Sequence, residues 1–153
     1  MMTSTMVLSS LLRHVRATLS VDAASLSLTG TFLTASAGLP TPELADVLQK
    51  AGHGPAHETI ASRRPVVIQD LAEPEALARF PRYASVALAS CIRSVAVFPL
   101  IAGDVVIGTL HLYRYAPKAL SAAELVEVRS IADVIAKRIA LQPRPVTHDV
   151  TAG

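Results

Sequence analysis

One cysteine, no tryptophan, three phenylalanines and three tyrosines are all that 153 residues hold of these types. A lone thiol, Cys91, excludes an internal disulfide, which suits a reducing compartment, and the chain is expected to be cytoplasmic. A surplus of one charge is missing too: 14 Lys and Arg against 12 Asp and Glu leave a net +2. The arginines are scattered, and the Arg63-Arg64 pair has no interleaved aromatic on which a base could stack. Direct nucleic-acid binding is therefore not expected. No apolar run approaches the ~20 residues of a membrane helix, because Arg, Asp, Glu or Pro interrupts each one. The opening residues place no basic region ahead of an apolar one, so no secretory signal is expected.

What is present is apolar bulk. The hydrophobic fraction is 51%, much of it alanine and valine, enough for one domain with a single proper core. Residues 6–19 carry Met6, Val7, Leu8, Leu11, Leu12, Val15 and Leu19 at helical spacing. Residues 23–30 alternate small or polar residues with Leu and end at Gly30, and 31–36 read as the second strand of a hairpin. Thr41-Pro42 starts a short helix to about residue 50, and another begins at Pro55. Residues 65–71 read as a short edge strand, and 74–90 as a helical stretch that Pro81 must kink or split.

Two β-rich runs, joined through Gly103-Asp104, predict a long hairpin over residues 92–115. Ser121 and Glu124 form a capping box that opens the last helix. Its Leu125, Val128, Ala132, Ile135 and Ile139 recur at 3,4 spacing, the seam of a helix pair or short coiled coil. From Pro143 on there is no periodicity, so residues 142–153 are expected to be a disordered tail. Strands that arrive mainly as hairpins call for an α+β fold with an antiparallel sheet.

The stretch VVIGTLHLYRYAP, residues 105–117, poses a question. Side chains alternate along a strand, so Thr109, His111 and Tyr113 share one face while Gly108, Leu110 and Leu112 share the other. One face is fit for a dry core. The opposite face carries three hydrogen-bonding groups in a row, and water, a neighbouring strand or a ligand could meet them.

The element order, with G-P-x-x-E-x-x-x-x-x-x-P-V at 54–66, R-S-V-x-x-x-P-L at 93–100 and G-x-L-x-L-Y-R at 108–114, resembles a GAF domain. This is the small-molecule sensor module related to PAS, here nearest to the actinobacterial type often attached to an RNA-binding antiterminator domain. The resemblance covers about residues 5–140, and the domain is expected to span 5–141. It implies a central antiparallel sheet of five or six strands. The terminal helices would pack on one face, and shorter helices and loops would close a pocket over the other. Thr109, His111 and Tyr113 would then face the pocket, where cyclic-nucleotide-binding members carry a polar residue at the position of His111. Two departures matter. Ala56 stands where that type often has cysteine, and no output domain is expected after the last helix.

Each candidate has a bland reading beside it. His111 is either a ligand contact or a histidine satisfied within a polar cluster. Phe80 and Tyr83, in RFPRY, fall in the segment that lids the pocket in the family, where they would touch a ligand or anchor the lid. His53 and His57 have metal-ligand spacing, but Gly54 and Pro55 lie between them and no further ligands stand close by, so no metal is expected. Cys91 enters a β-rich run and reads as a buried, inert thiol.

No nucleophile and base can be assembled from these residues, so no catalytic residue is assigned. The leading reading is a non-catalytic sensor. It would bind a small molecule of unknown identity and signal as a homodimer, through its N- and C-terminal helices, to a separate output protein. No cofactor is specified. The alternatives are a degenerate scaffold that only dimerises and an enzyme like the free methionine sulfoxide reductases. Those relatives rely on several cysteines, so a chain with Cys91 alone cannot run their cycle as they do.

Overall fold

The computed structural model describes residues 4–29, 34–41 and 43–141. The expected turn at Gly30, the first half of the second strand, Pro42 and the tail at 142–153 lie outside the described residues. Eleven elements follow in the order α1 (Ser4–Leu19), β1 (Ala23–Leu28), β2 (Thr34–Ala37), α2 (Leu44–Gln49), α3 (Pro55–Ser62), β3 (Val66–Ile68), α4 (Pro74–Arg79), α5 (Pro81–Ala89), β4 (Ser94–Ala102), β5 (Val105–Arg114) and α6 (Ala122–Leu141). The helical stretch splits at Pro81, as its missing N–H requires, with Phe80 in a non-helical conformation between α4 and α5.

The five strands form one antiparallel sheet in the order β2-β1-β5-β4-β3. β4 and β5, the longest, pair from Ser94–Arg114 down to Ala102–Val105, and Gly103-Asp104 makes the connection with Gly103 at φ +61°. One residue is bulged out near Leu100/Ile101. Gly108 sits just beyond, pressed against β1, where any Cβ would run into the carbonyl oxygen of Ser27. Only glycine allows β5 to approach β1 that closely.

Two apolar clusters sandwich the sheet. On one face Leu8, Leu12, Val15 and Leu19 of α1, with Val128, Ala132, Ile135 and Ala136 of α6, cover Ala24, Leu26, Ala96, Phe98, Leu110 and Leu112. Each fully buried Leu or Phe contributes about 2 kcal/mol by leaving water. The 3,4 seam of α6 is therefore turned inward. It was expected to meet a partner helix, but Val128, Ala132 and Ile135 are at most 3% exposed and lie in this intramolecular core. An apolar stripe at that spacing fits a sheet as readily as another helix, so periodicity alone does not name its neighbour.

The capping box is formed as read. The Ser121 N–H donates to Glu124 Oε1 at 2.9 Å, and the Glu124 N–H donates to Ser121 Oγ at 3.1 Å. Glu124 also accepts from Arg114 at 3.1 Å, tying the end of β5 to the start of α6. These backbone and guanidinium donors hold the Glu124 carboxyl below the usual carboxylate range.

On the other face, Leu44 and Leu48 of α2, Leu71, Phe80, and Tyr83, Ala84 and Ala87 of α5 pack over Ala23, Val95, Val97 and Tyr113. Leu110 and Leu112 thus face the terminal helices, while Tyr113, one residue out of phase with them, faces the short helices.

Candidate functional site: a buried polar cluster under the short helices

His111 stands in the middle of the sheet, paired with Ser25 on β1 and Val97 on β4. Cross-strand partners point to the same face, so Ser25 joins Thr109, His111 and Tyr113 beneath the short helices. The burial is deep. Ser25, Thr109, His111 and Tyr113 are all 2% exposed or less. The second face of β5 thus looks at neighbouring side chains under a helical cover.

Three hydrogen bonds knit the cluster. The Ser25 and Tyr113 hydroxyls are hydrogen-bonded at 2.7 Å. The Gln49 side-chain amide, at the end of α2, donates to His111 Nε2 at 3.0 Å, and the Thr109 hydroxyl lies 2.9 Å from the same nitrogen. An amide nitrogen can only donate, so Nε2 is the accepting nitrogen and the ring proton resides on Nδ1. The His111 and Tyr113 rings lie nearly parallel, with centroids 6.1 Å apart. Farther along, Thr59 of α3 donates its hydroxyl to the Val97 carbonyl at 3.4 Å and fixes α3 to β4.

Burial disfavours charge at every titratable member. It pushes His111 down to about 4, so the ring is neutral at physiological pH. It raises the Tyr113 phenol, against a smaller opposing effect of the Ser25 hydrogen bond, and it raises the Tyr83 phenol well above its ordinary value.

Among the described residues two buried polar side-chain atoms have no hydrogen-bond partner, and both belong to this side of the sheet: His111 Nδ1 and Tyr83 Oη. Leaving such a group unpaired costs about 1–3 kcal/mol each. Tyr83 is pinned by α3, because Gly54 at the start of that helix sits against its ring, where a Cβ would come within 3.0 Å of the ring edge. Phe80, fully buried, belongs to the same apolar cluster and anchors the α4–α5 joint. A separate open groove of about 180 Å³ between β3 and α4 is lined by Ile68, Asp70, Glu73, Arg79 and Phe80, and none of the cluster's polar side chains reaches it.

The remaining candidates are surface features. His57 reaches back to the start of α3, where its Nδ1 accepts from the Gly54 N–H at 3.1 Å. His53 stacks on His57 and on Phe80, with its Nε2 3.7 Å from Glu58. Glu58 is also paired with Arg79. Among the described residues no three His, Cys, Asp or Glu side chains gather as a metal site. Cys91 corrects the reading from sequence. It is exposed and adopts φ +67° in the turn after α5, where the Ile92 N–H closes on the Ala87 carbonyl at 2.9 Å. That is a helix-ending loop in which the left-handed position ordinarily falls to glycine.

Of the five site residues expected from sequence, Thr109, His111 and Tyr113 lie in the cluster, and Tyr83 and Phe80 lie in the cover above it. Sequence reasoning missed Ser25 and Gln49. The alternation of β1 was a signal for Ser25. None existed for Gln49, which comes from 62 residues away.

No helix of the described residues is long and apolar enough to cross a membrane. Comparison with curated proteins returns no match. Among solved structures, the chain is similar to a domain from a Sinorhizobium meliloti protein classed with two-component sensor histidine kinases. The identity is 22%, 92% of each chain is covered and the TM-score is 0.69. It is similar to the GAF domain region of a Geobacter sulfurreducens protein at 15% identity, 90% and 93% coverage and a TM-score of 0.72. The type II free methionine-R-sulfoxide reductase of Thermoplasma acidophilum shares the fold at 19% identity, 85% and 87% coverage and a TM-score of 0.63. These likenesses establish the architecture. The family model for the GAF domain matches residues 5–139, and the chain belongs to that family of sensory and regulatory modules.

Proposed function

We propose that this chain is a non-catalytic sensor that binds a small molecule between the sheet and the short helices, and signals as a homodimer. The observation that carries the reading is the pair of unpartnered polar atoms, His111 Nδ1 and Tyr83 Oη, both buried beside a cluster that otherwise satisfies itself. A polar site held at this cost inside an apolar layer fits a place kept for a ligand. Catalysis finds less support. The single thiol, Cys91, is exposed in a turn, and the one hydroxyl hydrogen-bonded to His111 among the described residues, that of Thr109, is buried with it under the helices.

A dimer through the terminal helices finds its support on the outer side of α6. Val126, Val134 and Leu141 are 66%, 61% and 84% exposed. At ~100° per residue they fall within about 80° of one another around the helix. A two-fold contact along this line would bury the same apolar patch twice.

Mass spectrometry of the purified protein, native and then denatured, tests ligand binding. A mass excess in the native spectrum that is lost on denaturation is expected. A bare chain in repeated preparations would return the alternative, a scaffold whose pocket is filled by its own side chains.

A further inference from the structure

The chemistry of the cluster narrows what it can hold, given the ligand-binding reading above. Every buried polar side chain on this face is uncharged among the described residues: Ser25, Thr59, Tyr83, Thr109, His111 and Tyr113. The ion pairs among the described residues involve none of these side chains. Arg79 is paired with Glu58, Arg93 with Asp70, and Arg114 with Glu124. A carboxylate, a phosphate or an ammonium group brought to His111 would meet no counter-charge in a dry setting, and burial of an unpaired ion is prohibitive.

The two unpartnered atoms also share a sense. With Nε2 accepting from Gln49, His111 presents Nδ1–H as a donor, and Tyr83 presents a protonated phenol. The neighbouring core on this face is apolar, with Leu44 and Leu48 of α2, Phe80, Val95 and Val97. We infer that this site takes an uncharged carbonyl compound, a carboxamide or lactam, whose acceptor atoms satisfy His111 Nδ1–H and Tyr83 Oη–H while its carbon skeleton packs among those apolar side chains. Neutrality is read from the absence of buried charge on this face, and acceptor character from the two idle donors.

The test follows the ring nitrogens of His111 by NMR in the full chain at neutral pH. The probes are acetamide and 2-pyrrolidone, then sodium acetate and sodium nitrate at matched ionic strength. The uncharged carbonyl probes are expected to shift the His111 ring saturably while the ring stays neutral. Tyr83→Phe removes a hydroxyl that has no partner in the protein, so it should keep the fold and weaken that binding about tenfold. Saturable shifts from acetate or nitrate alone would overturn the inference and leave the ligand-binding reading standing. Unchanged affinity in Tyr83→Phe would overturn the role given to Tyr83. If no probe moves the ring, the inference falls, and the native mass spectrum judges the ligand-binding reading separately.

Discussion

A histidine with 1% of its surface in water is a titrating group out of place, and its consequences are measurable. Burial holds the folded pKa of His111 at about 4, against an unfolded value near 6.5. The folded value is the lower one, so the unfolded chain binds the proton first as pH falls. Stability is intact above about 6.5 and is lost as pH drops toward 4. Linkage puts the loss between pH 7 and pH 5 at about 2 kcal/mol. Urea denaturation at the two pH values should show it, and His111→Gln should flatten the difference. If the variant keeps the full pH dependence, another group is responsible. Asp70, held low by its hydrogen bonds from Arg93, and Glu124 lose their contributions in a more acidic window, as pH falls through the carboxylate range. Tyr83 gives an opposite kind of prediction. Its hydroxyl is buried and unpaired, so Tyr83→Phe in the ligand-free protein should be neutral or stabilising by up to about 1 kcal/mol. A loss above that amount in thermal or urea unfolding would show that the hydroxyl has a partner after all.

Among the elements, those whose ends carry their own chemistry were the most legible. Ser121 and Glu124 announce α6, and both reciprocal bonds form. Ser121→Ala should cost about 1 kcal/mol by exposing a helix donor. Pro81 announces the break between α4 and α5, because a ring without an N–H cannot continue the ladder. Cys91 shows where local reading fails. It follows an alanine-rich helix and leads into a strand, so burial was expected, yet the backbone there turns left-handed to end α5, and the side chain is in solvent. Cys91→Gly should therefore stabilise the fold by about 1 kcal/mol, read from the denaturation midpoint. A destabilised variant would mean that the thiol side chain packs in a way its exposure does not suggest.

At the scale of the whole molecule, fold class and the two hairpin pairings were readable because hairpins and caps are local, whereas the β1–β5 pairing and the site depend on distant meetings. Ser25 and Tyr113 are 88 residues apart, and Gln49 reaches His111 across 62. The direction of the α6 seam was equally unreadable, since an apolar stripe does not say what it will face. The two sides of that helix now predict different outcomes. Val134→Glu, on the outer line, should leave a folded chain that scatters light as a monomer where the wild type is a dimer. Ile135→Glu places a charge in the core and should unfold the domain instead. A monomeric wild type at micromolar concentration would refute the dimer. One last consequence belongs to β5, whose neighbouring residues serve opposite cores: His111 looks to the short helices, and Leu110 and Leu112 to α1 and α6. Packed interiors scarcely compress. The strand therefore works as a stiff diaphragm between two chambers, and swelling on the His111 side must bow it toward the terminal helices within a single peptide's thickness, with no relay of side chains in between.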